Sequence, residues 1–196
     1  MNFKQFGVLV SISTILGMNL IATKALAQES PSITFGDAIA AGGCSIADQQ
    51  VGEDGRTLSL ILNNFSAYNG QRNRCIIRIN TSIPSGFNVQ EVNVLYQGSV
   101  EVGASSKGSN LSRSYSFSAG NLGQVVATPQ KTDFKVSDDL FEVQDNLAVI
   151  SASCGGQGQL GFNLIEKSNP GSNIIVDTTD VNAGKVILSL DLIPCS

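Results

Sequence analysis

The chain has 196 residues, twelve of them lysine or arginine and sixteen aspartate or glutamate, with no histidine and no tryptophan. A formal charge of −4 without a basic run supplies little counterion release, which argues against nucleic acid and anionic membrane as partners. The absent histidine removes the serine and cysteine nucleophiles that rely on an imidazole base, so carboxylate chemistry and binding are the function classes left.

Met1 to Lys4 carry a positive charge, Phe6 to Ala22 is an apolar run broken by Ser11, Ser13, Thr14 and Asn19, and Ala25-Leu26-Ala27 puts small residues where a signal peptidase reads. The spacing predicts a signal peptide over residues 1–27, cleaved after Ala27, and a secreted or periplasmic product. The run is short and polar against the roughly 20 apolar residues of a spanning helix, so no membrane association is expected after cleavage. Cleavage leaves 169 residues with ten basic and sixteen acidic groups, a formal charge of −6. That length suits one well-buried domain.

Residues 28–43 read as a leader into the fold with a first short strand, where Ile33 and Phe35 alternate, and residues 44–196 as the domain itself. Val51 to Gly55 is a turn by composition. Leu58, Leu60 and Leu62 share one face of a strand, and Asn69-Gly70 is expected to close a hairpin onto the next. In that next strand Cys75, Ile77, Ile79, Thr81 and Ile83 fall on one side and Arg74, Arg78, Asn80 and Ser82 on the other, the pattern of a ribbon with one dry and one wet face. After Pro84-Ser85-Gly86, Phe87 and Val89 hold one phase while Val92, Val94, Tyr96, Val100 and Val102 hold the other, which predicts a β-bulge across Gln90-Glu91.

Gly103 to Asn110 is expected as an exposed loop, and Leu111, Tyr115 and Phe117 as a strand alternating with Ser112, Ser114, Ser116 and Ser118. Residues 120–146 hold edge strands and an acidic patch. Ala148, Ile150, Ala152 and Cys154 run opposite Leu147 and Val149, which reads as a central strand apolar on both faces. Leu160, Phe162 and Leu164 form another strand, Ile174 to Val176 a short one, and Val186 to Leu192 the last, ended by Pro194. No helical periodicity follows the leader. About nine strands divided by glycine, asparagine and serine turns predict an all-β, antiparallel β-sandwich, with a closed β-barrel as the alternative.

Cys44, Cys75, Cys154 and Cys195 are an even set in an exported chain, which favours two disulfides. Of the three connectivities that four cysteines allow, Cys44 with Cys75 and Cys154 with Cys195 is expected, because each pair brackets one half of the chain. Zinc fits poorly without a close cysteine pair or a histidine, and no cofactor is implied.

Asp138 and Asp139, with Glu142 and Asp145 close behind, are the densest acidic patch. Paired carboxylates serve glycosidases, but neighbouring residues in a non-helical segment point apart, so the patch reads as a solvated turn and no catalytic residue is assigned. The candidate metal ligands are Asp138 and Asp139, joined by Asp133, and in a later loop Asp177 and Asp180, joined by Asn182. Cys154-Gly155-Gly156-Gln157-Gly158 lacks the lysine and helix of a phosphate loop and reads as a turn. Sequons stand at Asn64, Asn80 and Asn110. Stacking of sugars has only Tyr68, Tyr96 and Tyr115 to draw on, two of them on inward phases.

Cys44 after Gly42-Gly43, Cys75 opening its alternating strand, Pro84-Ser85-Gly86-Phe87, Tyr96-Gln97-Gly98, Cys154-Gly155-Gly156 and the final Cys195 follow one another in an order that resembles the secreted family catalogued as domain of unknown function 4360. The resemblance covers about residues 33–196. It departs at Leu192-Ile193-Pro194, where members tend to carry a tryptophan before the last cysteine. It implies secretion and paired cysteines, and no activity or catalytic residue. The expected role is that of a non-catalytic domain acting by surface contact at the cell envelope or outside the cell, on a polysaccharide, envelope or protein partner. The alternatives are a carboxylate-dependent polysaccharide hydrolase and a secreted inhibitor or effector that presents the loop at residues 103–110.

Overall fold

The computed structural model describes residues 31–120, 122–150, 153–176 and 185–195. The leader with its cleavage site, and Asp177, Asp180 and Asn182, lie outside the described residues. Among the described residues thirteen strands form two antiparallel sheets. Sheet A runs from edge to edge as β1 (Thr34–Gly42), β5 (Arg72–Ile83), β11 (Gly156–Ser168), β7 (Ser109–Gly120) and β9 (Gln130–Phe134). Sheet B runs as β2 (Ser45–Val51), β3 (Thr57–Asn63), β13 (Lys185–Pro194), β6 (Phe87–Val102), β10 (Asp138–Ile150) and β8 (Gln124–Val126). The short β12 (Ser172–Ile175) bridges β6 to β4 (Ser66–Tyr68). The sheets stack as a sandwich and do not close into a barrel. Strands outnumber the nine or so expected because β2 and β4 carry no sustained alternation of large apolar residues, while the edge strands expected within residues 120–146 resolve into β8 and β9, only three and five residues long.

Cys75, Ile77 and Ile79 of β5 and Leu160, Phe162 and Leu164 of β11 point inward from sheet A, and all are buried. Leu58, Leu60 and Leu62 of β3, Val94 and Tyr96 of β6, and Val186, Leu188 and Leu190 of β13 meet them from sheet B. Each large apolar side chain removed from water in this way stabilises the fold by about 1.5–3 kcal/mol before entropy is charged against it.

The hairpin expected at Asn69-Gly70 does not form. The Leu58 strand pairs with β2 and β13 in sheet B, whereas the Cys75 strand pairs with β1 and β11 in sheet A. Among the described residues only β2 and β3 pair as consecutive strands; from β5 to β12 each strand lies in the opposite sheet from the one before. Alternation within a strand reports which side is dry and is silent about the partner, so a turn between sheets looks in sequence like a turn within one.

The predicted bulge is present. Asp191 of β13 pairs with Glu91 and Leu192 with Val89, leaving Gln90 as the extra residue of β6. Val89 and Val92 are therefore both buried although three positions apart.

The segment expected as a central strand is corrected. Residues 147–150 are the end of β10, flanked by three residues of β8 at the margin of sheet B, and Ile150 is 65% exposed. Cys154 lies past the end of that strand. The expected loop at residues 103–110 also ends early, since Gly108 and Ser109 are buried and the Ser172 hydroxyl donates to the Gly108 carbonyl at 2.9 Å.

At the opposite margin the chain turns a corner from β1 into β2 and so passes from one sheet to the other. Gly42 makes this possible: its φ is +96°, and a Cβ there would stand 2.4 Å from the Arg74 carbonyl oxygen. Cys44 just beyond is bonded to Cys75, and Cys154 to Cys195, the pairing expected.

Candidate functional site

In-register neighbours share a face, so the pairing of β5, β11 and β7 fixes what sheet A shows to water. Arg72 faces Lys167, Arg74 faces Ile165, Arg78 faces Gly161, Asn80 faces Gln159 and Ser82 faces Gln157. Across β11, Ser116, Ser114 and Ser112 stand beside Gly161, Asn163 and Ile165. These outward positions hold arginine, lysine, amides and hydroxyls around Ile76, Ile165 and Gly161, and no carboxylate.

At one end of this face lies a groove of about 480 Å³ lined by Thr34, Gly36, Asn80, Ser82, Gln157 and Gln159. A bulge in β1 between Phe35 and Ala38 shapes its wall. The backbone groups freed by that bulge are satisfied by Gln49 of β2, whose Oε1 accepts from the Ala38 N–H at 2.7 Å and whose Nε2 donates to the Gly36 carbonyl at 3.0 Å. Gln159 Nε2 donates to Asn80 Oδ1 at 3.0 Å, which fixes both amide planes along the floor. Primary amides both donate and accept, and hydroxyls do the same, so the lining matches a ligand dense in hydroxyl groups.

One step along β5, the Arg78 guanidinium lies over Gly161. Its Nη1 donates to the carbonyls of Ile77 at 2.8 Å and Phe162 at 3.2 Å. A Cβ on residue 161 would come within 3.1 Å of that nitrogen, so glycine is what lets the guanidinium settle there.

The acidic patch is not a turn. Asp138 and Asp139 are exposed at the start of β10, and the Asp138 carboxylate accepts from the Leu140 N–H at 3.1 Å. Glu142 accepts from Gln97 Nε2 at 2.7 Å on the outside of sheet B, and Asp133 pairs with Lys131 at 2.7 Å on β9. Among the described residues no three carboxylates or thiols converge in the manner of a metal site. Asp145 turns inward, because it shares the phase of Phe141 and Leu147.

There it meets Arg113 of β7 in a two-pronged ion pair between the sheets, Nε to Oδ2 at 2.7 Å and Nη2 to Oδ1 at 3.0 Å. Arg113 Nη1 also donates to the Leu111 carbonyl and to Thr132 Oγ1. The Tyr115 hydroxyl donates to Asp145, the Tyr96 hydroxyl donates to Tyr115 at 3.0 Å, and the guanidinium carbon lies 5.7 Å from the centre of the Tyr96 ring. Burial pushes both phenols well above their ordinary range, so each remains a donor. Burial works against the charge on Arg113, but the hydrogen bond and charge of Asp145 outweigh it and raise its pKa. This cluster binds the sheets together, with Arg113, Asp145 and Tyr96 buried and Tyr115 half-buried at its margin.

A second groove, about 670 Å³, lies beside β8 and the end of β10 with Val126 and Ile150 exposed in its wall. Neither groove is lined by a carboxylate. Gly155, in the glycine-rich turn, has a φ of +75° and donates to the Phe87 carbonyl at 2.7 Å, closing the turn against β6. Tyr68 is exposed, Tyr115 half-buried and Tyr96 buried.

The sequence reading placed Arg74, Arg78, Asn80 and Ser82 on a wet face but missed the basic cluster. Arg72, Arg74 and Arg78 share even offsets, which is the signal that joins them. Lys167, Gln157 and Gln159 join only through the register of β11 on β5.

A search of the curated proteins finds no match. Among solved structures, TmCBM61 in complex with β-1,4-galactotriose is similar at 10% identity and a TM-score of 0.36, over 81% of this chain and 88% of that one. The N-terminal cellulose-binding domain of Cellulomonas fimi β-1,4-glucanase C is similar at 8% identity and a TM-score of 0.29, over 81% and 89%. A family 11 carbohydrate-binding module from Clostridium thermocellum, in complex with a β-1,3-1,4-mixed-linked tetrasaccharide, is similar at 9% identity and a TM-score of 0.23, over 83% and 87%. At such identity and overlap no ligand or activity transfers to this chain. The family described as Domain of unknown function (DUF4360) matches residues 38–189, and the chain belongs to it.

Proposed function

We propose that the protein is an exported, non-catalytic module that binds polysaccharide across the outward face of sheet A. The observation that carries this reading is the groove lined by Thr34, Asn80, Ser82, Gln157 and Gln159, where amides and hydroxyls are held in place and no ionised group of either sign intrudes. A polymer of sugars presents hydroxyls at close intervals to such a lining, and each exchanges water for a donor or acceptor already fixed in position. Export is supported by the leader ending at Ala27 and by the two disulfides, which persist in oxidising compartments.

Affinity electrophoresis of the mature chain through gels containing soluble polysaccharides tests the reading. Retardation is expected with at least one polymer, and Asn80→Ala with Gln159→Ala is expected to abolish it without lowering the melting temperature. Migration unaffected by every neutral and acidic polysaccharide overturns it.

A further inference from the structure

Resting on that reading, we propose that the polymer bound by sheet A is an acidic polysaccharide carrying carboxylates, gripped by Arg72, Arg74, Arg78 and Lys167 beside the amide-lined groove. The chain as a whole is acidic, yet the three central strands of sheet A present cations where those of sheet B present carboxylates; the exposed carboxylates of sheet A lie on its edge strands, Asp37 on β1 and Asp133 on β9, the latter paired with Lys131. Outward positions on β5, β11 and β7 hold those four cations and no carboxylate. Outward positions on β13, β6 and β10 hold Glu91, Glu101, Glu142 and Asp191 against a single cation, Lys185. None of these four cations is in an ion pair among the described residues, whereas Arg113 and Lys131 of the same sheet are both matched. An unneutralised basic row on an acidic protein attracts anions to one side only.

The geometry selects among anions. Strand residues two apart are about 6.6 Å apart along the chain, so Arg72 to Arg78 spans roughly 20 Å, and Asn80 and Ser82 continue the same line into the groove. Duplex DNA, with a charge every 1.7 Å or so, is too dense for four cations on a chain of net negative charge to hold against repulsion from its remainder. An acidic polysaccharide spaces its charges by whole sugar units and fills the intervals with hydroxyls, which is the order of arginines and amides on this face. Carboxylate suits Arg78 in particular. Both of its bonds within the protein use Nη1, and no described residue accepts from Nε or Nη2, which leaves one planar edge of the fork for a two-pronged contact.

The test is affinity electrophoresis of the mature, disulfide-bonded chain in gels containing polygalacturonate, dextran sulfate, hydroxyethylcellulose or duplex DNA, with folding of each variant checked by its melting curve. Polygalacturonate is expected to retard the protein, with retention falling as salt rises. Replacing Arg72, Arg74 and Arg78 by Gln is expected to weaken binding by roughly tenfold or more, as the loss of charge-assisted hydrogen bonds requires. Arg78→Lys keeps the charge and loses the fork, and is expected to bind more weakly than the wild type. Equal retardation by hydroxyethylcellulose, or by DNA, overturns the inference while polysaccharide or polyanion binding itself stands. Preference for dextran sulfate overturns the choice of carboxylate. Wild-type binding by the triple variant overturns the assignment to these residues, and no retardation by any polysaccharide removes the function on which the inference rests.

Discussion

Arg113 and Asp145 carry opposite charges into a space that neither could occupy alone, with side-chain exposures of 3% and 7%. Removing one partner leaves the other charged, buried and uncompensated, so Asp145→Asn or Arg113→Met is expected to cost about 3–5 kcal/mol in denaturant unfolding. The double replacement Arg113→Met with Asp145→Leu is expected to cost less than either single one, because an apolar pair carries no desolvation penalty. The inward phase of both residues can be read in the sequence, Arg113 between Leu111 and Tyr115, Asp145 between Phe141 and Leu147. Their meeting cannot, since it depends on how two sheets stack. At the surface, Asp54 accepts from the N–H groups of Arg56 and Thr57 at 2.9 Å, and these bonds, the first above all, hold its carboxyl below the ordinary value of 3.8. A depressed carboxylate stabilises the fold above its unfolded pKa and stops doing so as the pH falls through the folded value. The melting-temperature gap between wild type and Asp54→Ala is therefore expected to be widest near neutrality and to close as the pH drops below 3.8.

Among the strands, β6 shows how much a period of two can say. Its phase change locates the bulge at Gln90, and its buried valines are read correctly from alternation alone. Gly98 in the same strand is opaque to such reading. It lies opposite a second irregularity, between Asp138 and Phe141 of β10, and a Cβ there would stand 2.4 Å from the Ile175 carbonyl oxygen and 2.6 Å from the Phe141 ring. Gly98→Ala is expected to lower stability by about 1–3 kcal/mol through overpacking. Phe141→Leu is not expected to rescue it, because the carbonyl contact remains; thermal denaturation of the single and double variants decides this. The strand β10 was misread for a related reason. Ile150 and Val126 are apolar and exposed at the margin of sheet B, so apolarity on both faces signals an interior strand where only the three residues of β8 separate β10 from the edge of the sheet. The bulge near its start and the inward charge of Asp145 are both features that discourage pairing with another chain along the part of β10 that β8 leaves uncovered.

For the molecule as a whole, both cystines tie together segments already adjacent in the fold, with separations of 31 and 41 residues. In the chain-entropy account, removing either by paired Cys→Ala replacement is expected to cost roughly 3–4 kcal/mol, read as a lowered denaturation midpoint with a steeper slope, since the denatured chain without the bridge is more expanded. Fold class and the number of cystines were open to sequence reading because they follow from local pattern and parity, and the pairing because each pair brackets one half of the chain. Of the basic face, the shared phase of Arg72, Arg74 and Arg78 is legible in β5, whereas Lys167 joins them only through the pairing of β11 with β5, whose neighbouring residues lie far apart in the chain.

The passage of the chain from sheet to sheet at almost every turn makes the two halves interlock. A protease cut within residues 103–107 would leave β5 hydrogen-bonded to β11 and β6 to both β10 and β13, while each cystine stays within its own fragment. The nicked protein is expected to elute as one species from a sizing column and to separate into two pieces under denaturant without reductant. Such a molecule is expected to survive scission as a clasped pair, each half supplying the strands the other needs.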